Sequence, residues 1–153
     1  MPRMSDLPEE AVSAFERLPL PDLGDPPWVT PPPLDRARAA IVSTAGLHRH
    51  GDPVFVGGAA DYRIIPGDID SGDLLMSHAS ANFDRSGFQQ DAELVFPIGH
   101  LRALVEEGAI GSVADWHYSF MGATDPVGMV DSGHEVGRLL RGDQVDVALL
   151  VPI

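Results

Sequence analysis

The chain has 153 residues, 44% of them hydrophobic and 22% charged, a length and composition that predict one globular domain. Ten basic residues against 23 acidic ones give a formal net charge of −13, which disfavours nucleic acids and anionic membranes as partners because both are negatively charged. All ten basic residues are Arg and there is no Cys, which excludes Schiff-base and P-loop lysines, disulfides, thiolate nucleophiles and Cys-ligated zinc.

The sequence also lacks the marks of a membrane or secreted protein. No run approaches the roughly 20 apolar residues of a membrane span. The first ten residues contain no apolar core of the kind that a secretory signal has. We therefore expect a cytoplasmic protein.

Proline dominates the start of the chain, where nine of the fourteen prolines precede Leu34. Proline lacks an amide donor and restricts the residue before it, so we predict a Pro-rich N-terminal arm over residues 1–38 rather than strands or long helices. One short helix fits at 9–18, with Val12, Phe15 and Leu18 on its apolar face. Trp28 is the expected anchor of the arm, because an indole buries a large apolar area.

After the arm, apolar runs bounded by Gly and Pro predict an α/β domain over residues 39–153. We predict strands at 39–46, 61–66, 73–78, 114–121 and 145–153, and helices at 96–107 and 132–141. The continuous apolar runs are typical of a mainly parallel sheet flanked by helices, with the last strand buried. Residues 47–91 are poor in helix signals and are expected to be antiparallel or loop-rich.

Polar residues crowd the end of the predicted strand at 73–78, where the crevice of a parallel sheet would lie. They are His78, Ser80, Asn82, Asp84 and Arg85. They could form a hydrogen-bonded anion or carboxylate site, or His78 and Asp84 could act as a general acid–base pair. The alternative is an ordinary loop with capping side chains.

Further histidines permit metal or crevice chemistry. His48 and His50 follow the first strand and could share zinc or iron with His78 or His117, although such pairs are also frequent in solvated loops. His117 lies within an apolar strand and is either a core histidine or a crevice residue, with Ser119 two residues further on. No dinucleotide, phosphate-loop or nucleophile-elbow pattern is present.

Several stretches in order along the chain resemble the glycine/sarcosine/betaine/D-proline reductase selenoprotein B family. They include IVSTAGLH at 41–48, DYRIIP at 61–66, SH at 77–78 with FD at 83–84, residues 91–102 and 104–111, HYSFMG at 117–122 and VDVALLVP at 145–152. The resemblance implies reductive cleavage of a C–N bond in a small amine or amino acid. In that family a selenocysteine or cysteine motif follows the strand that corresponds to 147–152, and this sequence has no such residue.

Three hypotheses follow from the resemblance. In the first, the chain is a reductase subunit whose reactive Cys or selenocysteine comes from a second chain, and His78, Asp84 and His117, with Arg63 or Arg85, line a shared pocket for an amine or carboxylate. In the second, the His and Asp residues perform acid–base or metal chemistry without thiols. In the third, the chain is a non-catalytic interaction module. An apolar last strand needs a cover, so we expect a homo- or hetero-oligomer.

Overall fold

A computed structural model describes residues 6–17, 22, 24, 29–80 and 83–153. The helices are α1 (Glu9–Glu16), α2 (Ser86–Gln90), α3 (Ile98–Glu106) and α4 (Val130–Gly142). The strands are β1 (Arg38–Ser43), β2 (Leu47–Arg49), β3 (Tyr62–Pro66), β4 (Leu74–Met76), β5 (Ser112–Val113), β6 (Trp116–Phe120) and β7 (Val147–Val151). The predicted strands and helices are therefore present, most with ends shifted by one to a few residues.

The main sheet is mixed, so the prediction of a mainly parallel sheet is wrong. Strand β1 pairs in parallel with β5 and β6 on one side and with β7 on the other, whereas β3 runs antiparallel to β6. The chain between β1 and β3 contains no helix, whereas parallel strands of one sheet are normally joined by a crossover helix; β3 accordingly runs opposite to β1 and to β6, which lies between them. An apolar run predicts a strand but does not encode its direction.

Strand β7 also differs from the expectation of a buried strand. It pairs with β1 over five residues, from Val147 opposite Ala39 to Val151 opposite Ser43. Within the described part of the chain it has no second neighbour, and Leu149 and Leu150 are 40% and 67% exposed. It is an edge strand because only one of its sides is paired.

Residues 47–91 are antiparallel and loop-rich, as predicted. Strands β2 and β4 form a separate two-stranded antiparallel sheet, with Leu47 opposite Met76 and Arg49 opposite Leu74. The only α-helix among these described residues is α2, which has five residues. This small sheet leads directly into the polar segment that begins at Ser77.

Two apolar clusters cover the two faces of the main sheet. Ile41 of β1 belongs to a cluster with Phe96 and Leu101, whereas the next residue, Val42, packs with Tyr118 and with Val136 of α4. Successive residues of a strand point to opposite faces, so α3 and α4 lie on opposite sides of the sheet. The main sheet therefore lies between α3 and α4 in a three-layer arrangement.

The helix ends follow the local sequence signals closely. Helix α3 begins one residue after Pro97, which occupies the position before the first helical residue rather than the predicted first position. It is followed by Gly108 with a φ of +72°, a left-handed conformation that favours glycine. Helix α1 ends at Glu16. The predictions for Leu18 and for Trp28 as an anchor lie outside the described residues, as does the prediction for the side chain of Phe15. Among the described helices, none is both long enough and apolar enough to cross a membrane.

Candidate functional site

Three parallel strands bring their carboxyl ends to the same edge of the main sheet. Beyond them lies a cleft of about 320 Å³, which we call the His78 cleft. It is lined by His78, Ser80, Phe83, Gly122, Ala123 and Ile153. The carboxyl ends of parallel strands are the usual position of binding sites in α/β sheets, so this cleft is the leading candidate.

Hydrogen bonds between the strand ends shape the floor of this cleft. Thr44, directly after β1, accepts a bond through its carbonyl from Gly122 N at 2.9 Å and one through its hydroxyl from Ile153 N at 2.8 Å. A Cβ atom on Gly122 would lie 2.8 Å from the carbonyl oxygens of both Thr44 and Ile153. Only glycine therefore allows the segment after β6 to pass this close to its neighbours.

His78 is the one titratable side chain among those that line the cleft. Its side chain is only 5% exposed, and Nδ1 accepts a hydrogen bond from the backbone N–H of Ser80 at 3.3 Å. In a neutral ring this arrangement places the proton on Nε2. Nε2 is buried and has no hydrogen-bond partner among the described residues. His78, which lines the cleft, thus has a ring donor that no described residue uses.

The surroundings of His78 favour the neutral form of the ring. Burial, together with the positive charge of Arg85, lowers the pKa of His78 below its usual value. Arg85 Nη2 donates to the carbonyl oxygens of His78 and Ser80, and the Phe83 ring packs on the imidazole with centroids 4.8 Å apart. A neutral, oriented imidazole beside a cationic group can donate a hydrogen bond to an electron-rich ligand atom.

Contacts from the first half of the chain hold the His78 segment in place. Ser77 N donates to the carbonyl of Gly46 at 2.9 Å. The Ser77 hydroxyl lies 2.6 Å from His48 Nε2, and His48 Nδ1 lies 3.1 Å from the carbonyl of Arg49. Because a carbonyl only accepts, Nδ1 carries the proton and the Ser77 hydroxyl donates to Nε2. His48 therefore supports the residue next to His78.

The structure does not place His48 and His50 in a common set of metal ligands. His48 is 3% exposed and both of its ring nitrogens are engaged as described above. His50 is exposed and lines a separate cleft of about 440 Å³ with Arg49 and three aspartates, Asp68, Asp70 and Asp73. Within the described ranges, no group of three or more His, Asp or Glu residues is arranged to hold a metal ion.

Asp84 and Arg63 lie outside the lining of the His78 cleft. The Asp84 carboxylate is exposed, and hydrogen bonds from the Ser86 side chain and from Ser86 N, the latter at 2.9 Å, lower its pKa. The Arg63 guanidinium forms an ion pair with Asp61 at 2.7 Å and lies 4.3 Å from the centre of the Phe55 ring. Asn82 is outside the described residues.

His117 and Ser119 are fully buried on β6 and connect it to the rest of the core. His117 Nδ1 accepts a hydrogen bond from Ile41 N at 2.9 Å, and the Ser119 hydroxyl accepts one from Leu47 N at 2.7 Å. Burial is the main cause that lowers the pKa of His117, to about 4. Neither residue lines the His78 cleft. These contacts hold strands together, whereas His117 Nε2, like His78 Nε2, is buried without a hydrogen-bond partner among the described residues.

The cleft also contains residues that the sequence analysis did not select. Phe83, Gly122, Ala123 and Ile153 contribute its apolar and backbone surface. The sequence offers one signal for them, the position of Gly122 directly after a predicted apolar strand. For Gly46, likewise, the sequence predicts only the end of a strand, whereas its close approach to the His78 segment depends on folding.

Comparison with known proteins supports a family assignment. The model of the glycine/sarcosine/betaine reductase selenoprotein B family matches residues 18–152. D-proline reductase subunit gamma of Acetoanaerobium sticklandii is 32% identical over 133 residues, which cover 80% of this chain and 54% of that protein. Glycine reductase complex component B subunit gamma of Carboxydothermus hydrogenoformans is 27% identical over 147 residues, 93% of this chain and 32% of that protein.

A third relative, sarcosine reductase complex component B subunit beta of Peptoclostridium acidaminophilum, is 26% identical over 122 residues, 76% of this chain and 28% of that protein. The chain thus spans between about half and about a quarter of the length of these curated relatives. No solved structure matches it significantly. The family match covers most of the sequence and confirms the resemblance, so this chain belongs to the glycine/sarcosine/betaine reductase selenoprotein B family.

Proposed function

We propose that this chain is a subunit of a selenoprotein B-type reductase and that its His78 cleft binds part of a small amine or amino-acid substrate. Family membership supports the reaction class, since the matched relatives are named as subunits of D-proline, glycine and sarcosine reductases. The observation that carries the proposal is His78, a buried residue that lines the cleft beyond the strand ends and whose Nε2 has no hydrogen-bond partner in the part of the chain that the structure describes.

In this proposal the chain supplies binding and orientation. The His78 Nε2–H donates a hydrogen bond to a carboxylate oxygen or another acceptor of the substrate, and the positive charge of Arg85 favours an anionic group nearby. Phe83 and Ala123 give the cleft an apolar surface for the carbon skeleton of the substrate. Small zwitterions with a carboxylate and a short carbon chain fit this chemistry.

The redox-active nucleophile comes from a second chain in this proposal. The sequence contains no Cys, so no thiolate of its own can attack the substrate. The His78 cleft lies at the edge of the sheet rather than in its interior, and a thiol or selenol on another protein can approach it there. The relatives named as subunits of multi-component complexes support such an assembly.

A binding titration tests the role of the cleft. The purified chain is titrated by calorimetry with glycine, sarcosine, betaine and D-proline, each in a separate experiment. We expect at least one of them to bind, and His78→Ala to weaken that binding by about tenfold or more, the effect of losing one hydrogen bond to a charged group. His100→Ala is the matched control, because His100 is exposed on α3.

Thermal unfolding of both variants shows whether the fold is intact. If none of the four compounds binds, or if the folded His78→Ala protein binds as well as the unchanged chain, the substrate-site proposal is wrong.

Native mass spectrometry of the protein purified from its own host tests whether a second chain is present. We expect a complex that includes a Cys- or selenocysteine-containing protein, and a species built from this chain alone would contradict that part.

A further inference from the structure

The outer side of β7 has the properties of an interaction surface. Leu149 and Leu150 are adjacent and therefore point to opposite faces of the sheet, yet they are 40% and 67% exposed. Leu149 lies beside Ile41 and Leu150 beside Val42 in the parallel register. The strand thus has uncovered apolar side chains on both faces, a pattern typical of strands in the interior of a sheet.

The backbone on this side is also available for pairing. Thr44 N donates to the carbonyl of Val151 at 3.0 Å, so the polar backbone groups of Val151 face β1. These groups alternate in direction along a strand, and those of Ala148 and Leu150 therefore face away from β1. Within the described residues no other strand pairs with this side. An exposed apolar edge with free N–H and C=O groups is a template for another strand.

The sequence of β7 is complementary to itself when two copies run antiparallel. With Leu149 opposite its own copy, Ala148 lies opposite Leu150 on both sides of the two-fold axis. The outward N–H and C=O groups of these two residues then form reciprocal hydrogen-bonded pairs. No residue from 147 to 153 is charged, and in this register Asp146 lies opposite Pro152. Two acidic chains can therefore meet here without opposing carboxylates.

We infer that β7 pairs antiparallel with β7 of a second copy of this chain, centred on Leu149, and so joins the two main sheets into one. The two-fold axis is perpendicular to the sheet, so each face of one copy continues into the same face of the other. Leu150 of each copy then packs on the face covered by α4, and Leu149 meets its equivalent on the opposite face. This inference goes beyond the proposed substrate site and does not depend on it.

The mass of the purified chain in solution tests the inference directly. Sedimentation velocity at micromolar concentration is expected to give a dimer of two 16.3 kDa chains. Leu150→Lys places a charge on the edge and is expected to raise the dimer dissociation constant more than about tenfold. Val56→Lys is the matched control, since Val56 is 65% exposed in the loop between β2 and β3, and this variant is expected to remain dimeric.

Hydrogen–deuterium exchange distinguishes pairing at β7 from other dimers. The outward amides of Ala148 and Leu150 are expected to be protected in the dimer and to lose protection on dilution, whereas the amide of Leu149, which faces β1, stays protected. A monomeric unchanged chain, a dimeric Leu150→Lys variant or exchange at β7 that is independent of concentration would each overturn the inference. The inference would also be overturned if this chain were monomeric and a strand of a different protein protected the amides of β7.

Discussion

Gly46 lies so close to the backbone of His78 that a Cβ atom on Gly46 would be 3.1 Å from His78 N and 3.2 Å from His78 Cα. Gly46 also has a φ of +67°, in the left-handed region that favours glycine. Its carbonyl accepts the hydrogen bond from Ser77 N. The turn after β1 therefore sets the position of the residue that lines the cleft.

Gly46→Ala should destabilise the protein by about 1–3 kcal/mol, because the new methyl group adds crowding to an unfavourable backbone conformation. Gly58→Ala is the matched control: Gly58 has a φ of +76°, but a Cβ atom there would have no neighbouring atom within 4 Å. That variant should lose only about 1 kcal/mol. Urea unfolding of both variants measures the difference, and equal losses would show that the approach to His78 costs nothing.

The Arg38 side chain connects the start of β1 to the segment 113–115 and to Asp143. Its guanidinium lies 2.6 Å from Asp143 Oδ1 and 3.1 Å from Asp115 Oδ2, and it donates to the carbonyls of Asp143 and Val113. Arg38→Ala should lower the free energy of unfolding by about 2–3 kcal/mol, because it leaves the largely buried Asp143 carboxylate without its cation. Arg141→Ala, at an exposed position on α4, should change it by less than about 0.5 kcal/mol.

A double-mutant cycle separates the ion pair from the loss of packing in this prediction. Asp143→Ala alone should also destabilise, and the Arg38→Ala/Asp143→Ala pair should lose clearly less than the sum of the two single changes. Urea unfolding supplies all four free energies. Additive losses would contradict a direct interaction between Arg38 and Asp143.

The positions of the strands could be predicted because apolar runs between Gly and Pro residues are local signals. The direction of β3 and the exposure of β7 could not, because both depend on which strand lies alongside. The apolar composition of β7 is the same whether or not a second neighbour covers it. For the same reason the sequence alone predicts that another element must cover the last strand, but not which side of β7 it covers or in which register it pairs.

The candidate site could also be predicted only in part. Polar residues at the end of a strand predicted the position of His78, and the structure places His78 and Ser80 at the cleft. The contacts of Arg63 could not be read from the sequence, because the Phe55 ring and the Pro53 carbonyl that hold it lie in a long loop. The contact of His117 with Ile41 N could not be predicted either. Strands β5 and β6 pair with β1 in registers that differ by two residues, since Ser112 lies opposite Arg38 but Tyr118 lies opposite Val42. The ladder is therefore interrupted beside Ile41, and His117 Nδ1 accepts the hydrogen bond from Ile41 N in place of a backbone carbonyl.

The hydrogen bond from Ser77 to His48 should contribute measurably to stability. Ser77→Ala removes the donor to Nε2 of a histidine that is 3% exposed, and an unsatisfied buried acceptor costs about 1–3 kcal/mol. Ser71→Ala is the control, because Ser71 is exposed. Urea unfolding measures both losses, and ¹⁵N NMR of the imidazole should show a changed Nε2 resonance in Ser77→Ala alone. An unchanged resonance would mean that the bond is absent in solution.

His117 should make the protein less stable as the pH falls. Burial lowers its pKa from 6.5 to about 4 in the folded state, so between these values the unfolded chain binds a proton that the folded protein does not. Above pH 6.5 His117 is neutral in both states and does not lower the free energy of unfolding. Between pH 6.5 and pH 4 this free energy should decrease by about 3 kcal/mol because of His117. Urea unfolding from pH 7 to pH 4 measures this decrease on top of the effect of the carboxylates.

His117→Asn isolates the contribution of this histidine. An Asn side-chain oxygen can accept the hydrogen bond from Ile41 N but does not titrate, so this variant should be less stable at pH 7 and lose less stability than the unchanged chain on acidification. His134→Asn, at an exposed position on α4, should follow the unchanged chain at every pH. If His117→Asn loses as much stability between pH 7 and pH 4 as the unchanged chain does, His117 is not the group that titrates.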